Sequence, residues 1–291
     1  MIDHIKGLLT VEGRATQTLP FVLDSPHSGT DYPNDFNHAA NPQGLRHAED
    51  THVHDLWRGA LGSGAVLLHA HFPRSYVDAN RAPDDMDPDH IDGTYPLPLH
   101  PTIKSALGIG LCWTRKPPEG SPLYARKLTA DEIYHRVTHY HQPYQSRLRD
   151  LLDDAHAKWH GVWHINCHSM QEVASAMSTQ DRGTPRPDFV LGDRDGAACA
   201  AEFTQTVHDF LAARGYSVAI NDPYKGMELI RANGDPAQGR HSLQIEVNRK
   251  LYMDETTRVP NAGYDLLKST FTDLSAHLAA YISDSLRGSH T

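Results

Sequence analysis

Short apolar runs alternate with amphipathic stretches along most of this 291-residue chain. Apolar runs bounded by glycine, proline or polar residues predict strands, and apolar residues at three- and four-residue spacing predict helices. The predicted strands cover residues 19–26, 64–70, 161–165, 189–192, 216–221 and 242–249. The predicted helices cover residues 45–61, 129–159, 197–214 and 262–286. Because strands alternate with helices, we expect an α/β fold whose mixed, mostly parallel sheet lies between helices.

Two neighbouring segments are less regular. Residues 74–81 read as a further short strand ending at Asn80, whereas residues 82–122 are rich in proline, glycine and aspartate and show little periodicity. A long irregular stretch inside a compact domain usually serves function, so we expect a lid or a substrate wall there. Thr129 followed by Glu132 is a capping-box pattern and predicts the start of the long helix.

Composition narrows the class of protein. Hydrophobic residues make up 39% and charged residues 22%, as in globular proteins, and no linker divides the chain, so we expect a single domain over residues 1–291. The net charge of -9 and the lack of a long basic run argue against a nucleic-acid partner. A small anionic substrate stays possible, because clustered arginines can oppose the global charge.

The same composition bears on the compartment. No apolar run approaches the roughly 18 residues that a membrane crossing needs. Cys112, Cys167 and Cys199 are too far apart to form a disulfide framework or a CxxC zinc site. The first residues lack the basic and apolar regions of a signal peptide, so we expect a cytoplasmic protein without a membrane partner.

Two histidines follow predicted strands. His27 comes after the first apolar run and His168 after residues 161–165, and ligands collect at the carboxyl ends of strands in α/β proteins. A catalytic zinc site takes three protein ligands, and either Glu49 or Asp50, with Asp50 slightly ahead, is a candidate for the third. The alternatives are a turn histidine, a core histidine and an acidic pair that favours a helix N-terminus. The pattern indicates a metal-dependent hydrolase.

Glu246 lies in the middle of a predicted strand. Alternation places Gln244, Glu246 and Asn248 on one face, which indicates either a cavity or a solvated edge. A buried carboxylate is costly unless it is paired or retains its proton. In a cavity, Glu246 would be a natural general base for hydrolysis.

Cationic and amide side chains accompany these motifs. Arg74, Asn80 and Arg81 lie close together in sequence, and Arg249 follows Glu246 by three residues. Arginine binds a carboxylate through two parallel hydrogen bonds, so this set could bind a substrate that bears two carboxylates. For each arginine alone, a surface salt bridge is equally plausible.

Six ordered segments resemble the N-formylglutamate amidohydrolase family. They are SPHSG at 25–29, EDT at 49–51, RSYVDANR at 74–81, NCHSM at 166–170, NDPYKG at 221–226 and QIEVNRKLYM at 244–253. Any one of these segments is weak evidence, but the ordered set is specific.

The resemblance implies a fold related to zinc carboxypeptidases and aspartoacylases. It implies one divalent metal ion, most simply Zn²⁺, held by His27, an acidic residue near position 50 and His168. It also implies that Glu246 is the base and that Asn80 and Arg81 grip a substrate carboxylate.

The expected reaction is hydrolysis of N-formyl-L-glutamate to formate and L-glutamate, the last step of one route of histidine degradation. Two alternatives remain open from the sequence. One is an amidohydrolase of another N-acyl amino acid or a small peptide. The other is a binding or regulatory protein that kept the fold and lost catalysis.

Overall fold

The computed structural model describes residues 3–40, 42–178 and 181–288. The strands are β1 Asp3–Ile5, β2 Leu9–Glu12, β3 Phe21–Ser25, β4 Val66–Ala70, β5 Ile91–Asp92, β6 Arg115–Lys116, β7 Ser121–Pro122, β8 Leu128–Thr129, β9 Val162–Met170, β10 Phe189–Gly192, β11 Val218–Ile220 and β12 Arg240–Asn248. The helices are α1 Pro42–Arg46, α2 Val53–Leu56, α3 Ile103–Ala106, α4 Ala130–Arg136, α5 Gln142–Trp159, α6 Ala201–Ala212, α7 Glu228–Asn233 and α8 Tyr264–Gly288.

An eight-stranded sheet runs through the molecule in the order β1-β2-β4-β3-β9-β12-β10-β11. The central strands β4, β3, β9 and β12 are parallel, whereas β1, β2 and β10 pair antiparallel with their inner neighbours. Helix α5 packs on one face, against β3 and β9, and α8 belongs with α2 and α6 to the other. The predicted mixed, mostly parallel sheet between helices is confirmed.

Side-chain alternation divides the apolar residues between two cores. Along β4, Val66 and Leu68 belong to the core under α5, and Leu67 belongs to the core under α8. Along β3, Val22 faces the first core and Leu23 the second. All of these side chains are fully buried, because helices cover both faces of the central strands.

A polar stripe interrupts the first face at the centre of the sheet. Strand β9 places Ile165 and Cys167 in the second core, so its even-numbered residues point to the opposite face. The parallel register then sets polar residues of β9 beside polar residues of β12. The aligned pairs are His164 with Ser242, Asn166 with Gln244, and His168 with Glu246.

Three predictions about local structure are wrong. Residues 45–61 are not one helix, because the chain turns inward at Glu49 and Asp50 and His52 adopts a left-handed conformation with φ of 70°. Residues 74–81 form turns rather than a strand, and the backbone N–H of Asn80 donates to the Asp78 side chain. The strand predicted at 161–165 continues to Met170, so His168 lies inside a strand and not beyond its end.

Other local predictions are confirmed. The Thr129 side chain accepts a hydrogen bond from the Glu132 backbone, and the Glu132 carboxylate accepts one from the Thr129 backbone, so the capping box is formed. A π-helical segment at Val137–His141 joins α4 to α5 within the predicted long helix. The irregular stretch 82–122 contributes Lys104, Ile109 and Trp113 to a cleft wall, as expected.

Candidate active site

The His27 ring lies at a tight turn two residues after β3. A side chain at Gly29 would collide with the backbone of His71 and Phe72, so this close approach requires glycine. The Nε2 atom of His27 is 2.6 Å from Oδ1 of Asp78, and both residues are buried. Nε2 therefore donates to that carboxylate, and the opposite atom, Nδ1, has no hydrogen-bond partner.

The His168 ring has a matching arrangement. Its Nε2 atom lies 2.7 Å from Oδ1 of Asn166. The Asn166 amide nitrogen donates to Oδ1 of Asp24 at 2.6 Å, which fixes the orientation of the amide so that its oxygen faces His168. His168 therefore carries a proton on Nε2, and its Nδ1 atom faces Oδ2 of Asp50 at 3.2 Å.

These contacts leave three electron-rich atoms turned toward one another. Nδ1 of His27 is 3.5 Å from Oδ2 of Asp50. The potential metal-ligand atoms of His27, Asp50 and His168 all lie within 4.8 Å of one another. Only added protons or a cation can compensate for this crowding of lone pairs. Metal-binding histidines commonly donate their other ring N–H to a carboxylate or carbonyl, as both do here. The buried group fits a divalent metal ion.

Of the two acidic candidates, the structure brings Asp50 to the histidines. Glu49 points elsewhere, where its carboxylate accepts hydrogen bonds from the Tyr32 hydroxyl at 2.6 Å and the Thr51 hydroxyl at 3.1 Å. Both carboxylates are fully buried. Only Asp50 belongs to the group that could hold a metal.

Arg249 lies against Asp50. Its Nη2 atom donates to Oδ1 of Asp50 at 2.9 Å, and the Ser169 hydroxyl donates to the same oxygen at 3.1 Å. Burial alone would raise the pKa of Asp50, but the His168 and His27 rings, when they are protonated, and the Arg249 guanidinium hold it well below its usual value. Asp50 is therefore ionised, and its Oδ2 atom stays turned toward the histidines.

Glu246 lines the cleft beside this group. It is aligned with His168 across two parallel strands, and the Gln244 amide donates to its Oε1 atom at 2.9 Å. Burial, with the nearby Asp50 charge, raises the pKa of Glu246 against the opposing effect of His168. A carboxyl group that has a raised pKa and lies beside a potential metal site is suited to accept and release a proton.

Asn80 also contacts the group of His27, Asp50 and His168, through the His168 ring. Its Oδ1 atom accepts from the Leu229 backbone at 2.8 Å, and its Nδ2 atom lies 3.1 Å from Nε2 of His168 and 3.3 Å from Oδ1 of Asn166. Its amide is therefore engaged by protein groups at the edge of the cleft.

The predicted arginines divide into paired and unpaired side chains. Arg74 donates to Asp78 at 2.8 Å and lies over the Trp113 ring, and Arg249 is paired with Asp50. Arg81 donates through Nε to the backbone of Ile109 at 3.4 Å and has no acidic partner within 4.0 Å among the described residues. Arg81 is thus the predicted arginine whose charge remains available in the cleft.

Several residues of the site are not among those that the sequence predicts. Lys104 and Arg186 line the cleft, but they come from segments whose sequence shows no pattern that marks a binding residue. Asp78 orients His27 from within a recognised motif, although no role was assigned to it. The Asn166 contact had a usable signal, because polar residues at 164, 166 and 168 alternate through the strand.

A buried polar chain continues behind Asn166. Asp24 also accepts from Nε2 of His164 at 2.9 Å and from the Tyr144 hydroxyl at 2.8 Å, and Nδ1 of His164 is 2.6 Å from the Ser242 hydroxyl. Every member is fully buried or nearly so. The chain fixes Asn166, and through it the His168 ring, from the interior of the protein.

The cleft has a volume of about 700 Å³. Its floor holds His27, His168 and Glu246, and its walls include Lys104, Ile109, Trp113 and Pro117 together with residues from 169–178 and 221–227. This volume lies within the range of small-molecule sites. None of the helices in the described part of the chain combines the length and the apolar character of a membrane crossing.

Comparison with known proteins supplies relatives of this chain. A sequence model of a family described as N-formylglutamate amidohydrolase matches residues 19–253. A solved N-formylglutamate amidohydrolase from Ralstonia eutropha is 42% identical, with a TM-score of 0.89, over 96% of this chain and 99% of that one. An N-formylglutamate deformylase from Pseudomonas putida is 28% identical over 82% of this chain and 83% of the relative.

A more distant structure has the same fold. It is a gene product of Agrobacterium tumefaciens that is 16% identical, with a TM-score of 0.66, over 98% of this chain and 96% of that one. At this identity the similarity concerns the fold alone. The range matched by the family model includes all of the predicted site residues, from His27 to Arg249.

Proposed function

The chain belongs to the N-formylglutamate amidohydrolase family, and from this premise we propose that it hydrolyses N-formyl-L-glutamate to formate and L-glutamate. The family resemblance inferred from the six segments is confirmed. The observation that carries the proposal is the group of His27, Asp50 and His168, which lies beside Glu246 at the floor of a cleft rich in arginine and lysine.

Two nitrogen donors and one carboxylate oxygen match the ligands of catalytic zinc sites, which leave a fourth position open. We therefore assign a single Zn²⁺ to His27, Asp50 and His168. When bound, the ion would polarise the formyl carbonyl and lower the pKa of a water molecule. Asp78 and Asn166 contribute by holding the two rings with their Nδ1 atoms toward the site.

Glu246 moves the proton in the proposed reaction. Its carboxylate accepts a proton from the attacking water while the water oxygen bonds to the formyl carbon. The carbon–nitrogen bond then breaks, and Glu246 returns the proton to the departing amine nitrogen. The raised pKa of Glu246 suits both transfers, since a group with a pKa nearer to the working pH both takes up and releases a proton readily.

The cleft arginines have different parts in this proposal. Arg249 and Arg74 hold Asp50 and Asp78, and so act through the carboxylates that surround the two histidines. Arg81 has no acidic partner and follows Asn80, whose amide touches His168. We assign Arg81 to the α-carboxylate, which in N-formylglutamate is attached next to the scissile amide.

The cellular setting is a further part of the proposal. Cys112, Cys167 and Cys199 are buried free thiols, which is consistent with a reducing cytoplasm. The place in histidine degradation rests on the family resemblance.

The proposal is tested by measuring formate release from N-formyl-L-glutamate together with the metal content of the same preparation. We expect turnover that is lost after dialysis against a chelator and restored by Zn²⁺. N-acetyl and N-succinyl amino acids serve as comparison substrates. Zinc-loaded protein that cleaves those substrates but not N-formylglutamate would reassign the acyl group, and protein that cleaves none of them would favour the non-catalytic alternative.

A further inference from the structure

The positive charges of the cleft exceed the negative charges that the protein supplies to pair with them. Arg74 and Arg249 are paired with Asp78 and Asp50. Three other cations line the same cleft without an acidic partner within 4.0 Å among the described residues. These cations are Arg81, Lys104 and Arg186.

The unpaired cations are withdrawn from solvent. Arg81 and Arg186 are 5% and 6% exposed, and Lys104 is half-buried. The Nε atom of Arg186 is buried and has no hydrogen-bond partner, while its guanidinium lies 5.3 Å from the centre of the Tyr224 ring. A buried charge without a partner is costly, so this arrangement is expected where a ligand supplies the missing negative charge.

The positions of these cations relative to the reacting centre differ. Asn80 touches His168, and Arg81 follows it directly. Arg81 then bonds to the carbonyl of Ile109, whose own amide donates to the Lys104 carbonyl at 2.9 Å. Arg81 thus directly follows a residue that contacts His168, whereas Lys104 is linked to Arg81 only through the Ile109 backbone.

We propose that Lys104 and Arg186 form an anion-binding subsite, separate from Arg81, that binds the side-chain carboxylate of the substrate. This subsite would select dicarboxylate N-formyl amino acids. This inference rests on the proposed function and deepens it. Arg81 alone can neutralise the α-carboxylate, which leaves two positive charges for the side-chain carboxylate, whose carbon is two bonds farther from the scissile nitrogen.

The lowered pKa of Lys104 is further evidence that positive charges lie close together in this part of the cleft. Burial, followed by the charges of Arg81, Arg74 and Arg186, lowers the pKa of Lys104 to about 8. A bound carboxylate would relieve this repulsion. The sequence offers Arg74, Asn80, Arg81 and Arg249 as a joint set for two carboxylates, but two of these residues, Arg74 and Arg249, are already paired.

The experiment compares N-formyl-L-glutamate with N-formyl-L-glutamine, which has the same shape and no side-chain charge. We expect Lys104→Met and Arg186→Gln each to lower kcat/KM for the glutamate substrate about ten- to a hundredfold, the effect of one charge-assisted hydrogen bond. Both variants should keep the wild-type value for the glutamine substrate. Lys104→Arg, which retains the charge, should keep most of the preference.

Lys116→Met is the matched control, because it removes a lysine charge that is paired with Glu119 outside the cleft. Its preference for the glutamate substrate should equal that of the wild type. An equal loss on both substrates in the Lys104 and Arg186 variants would overturn the inference, as would an equal effect of Lys116→Met. Thermal unfolding of each variant confirms that it is folded.

A binding measurement separates this inference from the proposed function. Calorimetry with L-glutamate and L-glutamine should show tighter binding of glutamate to the wild type, and the Lys104 and Arg186 variants should lose that difference. If the wild type released no formate but kept this binding preference, the proposed function would fail and the subsite would stand. Equal binding of the two amino acids by the wild type would refute the subsite.

Discussion

Hydrogen-bond partners set the proton positions on the two histidines, and these positions create the candidate metal site. The Asp78 carboxylate accepts a hydrogen bond from the Nε2–H group of His27, and the Asn166 amide oxygen accepts one from that of His168. Each partner thereby turns an Nδ1 lone pair toward Asp50. Asp78 and Asn166 therefore determine whether the two histidines can bind a metal, although neither would contact the ion. A histidine in the opposite tautomer would present an N–H group, and no lone pair, to the candidate metal site.

The role assigned to Glu246 gives a prediction for a substitution that keeps its shape. Glu246→Gln cannot accept a proton, so we expect kcat to fall by a factor of about 10²–10⁴ while bound metal is retained. Formate release and metal content, measured on the same samples, check this. Near-normal turnover in the variant would transfer the base role to another group.

Lys104 gives a prediction for pH dependence. It titrates at about pH 8, where the arginines around it, Arg81, Arg74 and Arg186, stay charged. Deprotonation above that pH removes one positive charge, so kcat/KM for N-formylglutamate should fall on the alkaline side. The fall should be absent with N-formylglutamine and in Lys104→Arg. The same alkaline fall with both substrates would assign it to a different group.

At the scale of elements, parallel pairing assembles the polar stripe. Strands β9 and β12 are parallel and in register, which sets Glu246 beside His168. A shift of one residue would turn every polar side chain of β12 into the apolar core on the opposite face. The register is therefore protected by the burial of Leu243, Ile245 and Val247.

The α4 N-terminus gives a prediction about stability. Thr129→Ala removes the side-chain oxygen that accepts from the Glu132 backbone. Loss of such a cap costs about 1 kcal/mol of unfolding free energy. Urea denaturation should show this loss, with formate release unchanged because the cap is not part of the cleft lining. Thr129→Ser, which keeps the oxygen, should retain most of the stability.

At the scale of the whole molecule, the candidate metal site depends on the complete fold. His27 follows β3, Asp50 precedes α2 and His168 belongs to β9, so residues far apart in sequence meet only in the folded chain. Binding of an ion to this group therefore stabilises the native state relative to the unfolded chain.

This linkage gives a prediction for thermal unfolding. Zn²⁺ at one hundred times its Kd should stabilise the metal-free protein by about 2.7 kcal/mol, which for a chain of this length corresponds to a rise in Tm of roughly 4 °C. Asp50→Asn should show little of this rise. Glu49→Gln is the matched control, since its carboxylate faces Tyr32 and Thr51, and it should respond like the wild type. The reverse pattern would identify Glu49 as the ligand.

The sequence alone determines the fold class, the start of a helix and the family of this protein. The alternation of apolar runs and amphipathic stretches predicts the α/β class, the Thr129 and Glu132 pair predicts a helix start, and the six ordered segments predict the family. These features are predictable because they depend on neighbouring residues or on a motif whose order survives in the chain. The presence of His27, His168 and Glu246 among the site residues follows from the same motifs.

Tertiary structure alone decided how the charged groups are paired. Asp50 rather than Glu49 meets the histidines because the chain turns inward at a left-handed His52. Arg249 is paired with Asp50, whereas Lys104 is left without an acidic partner among the described residues. Pairing depends on distances between segments remote in sequence, and the free energy of a buried charge depends on that pairing, so no local pattern could reveal it.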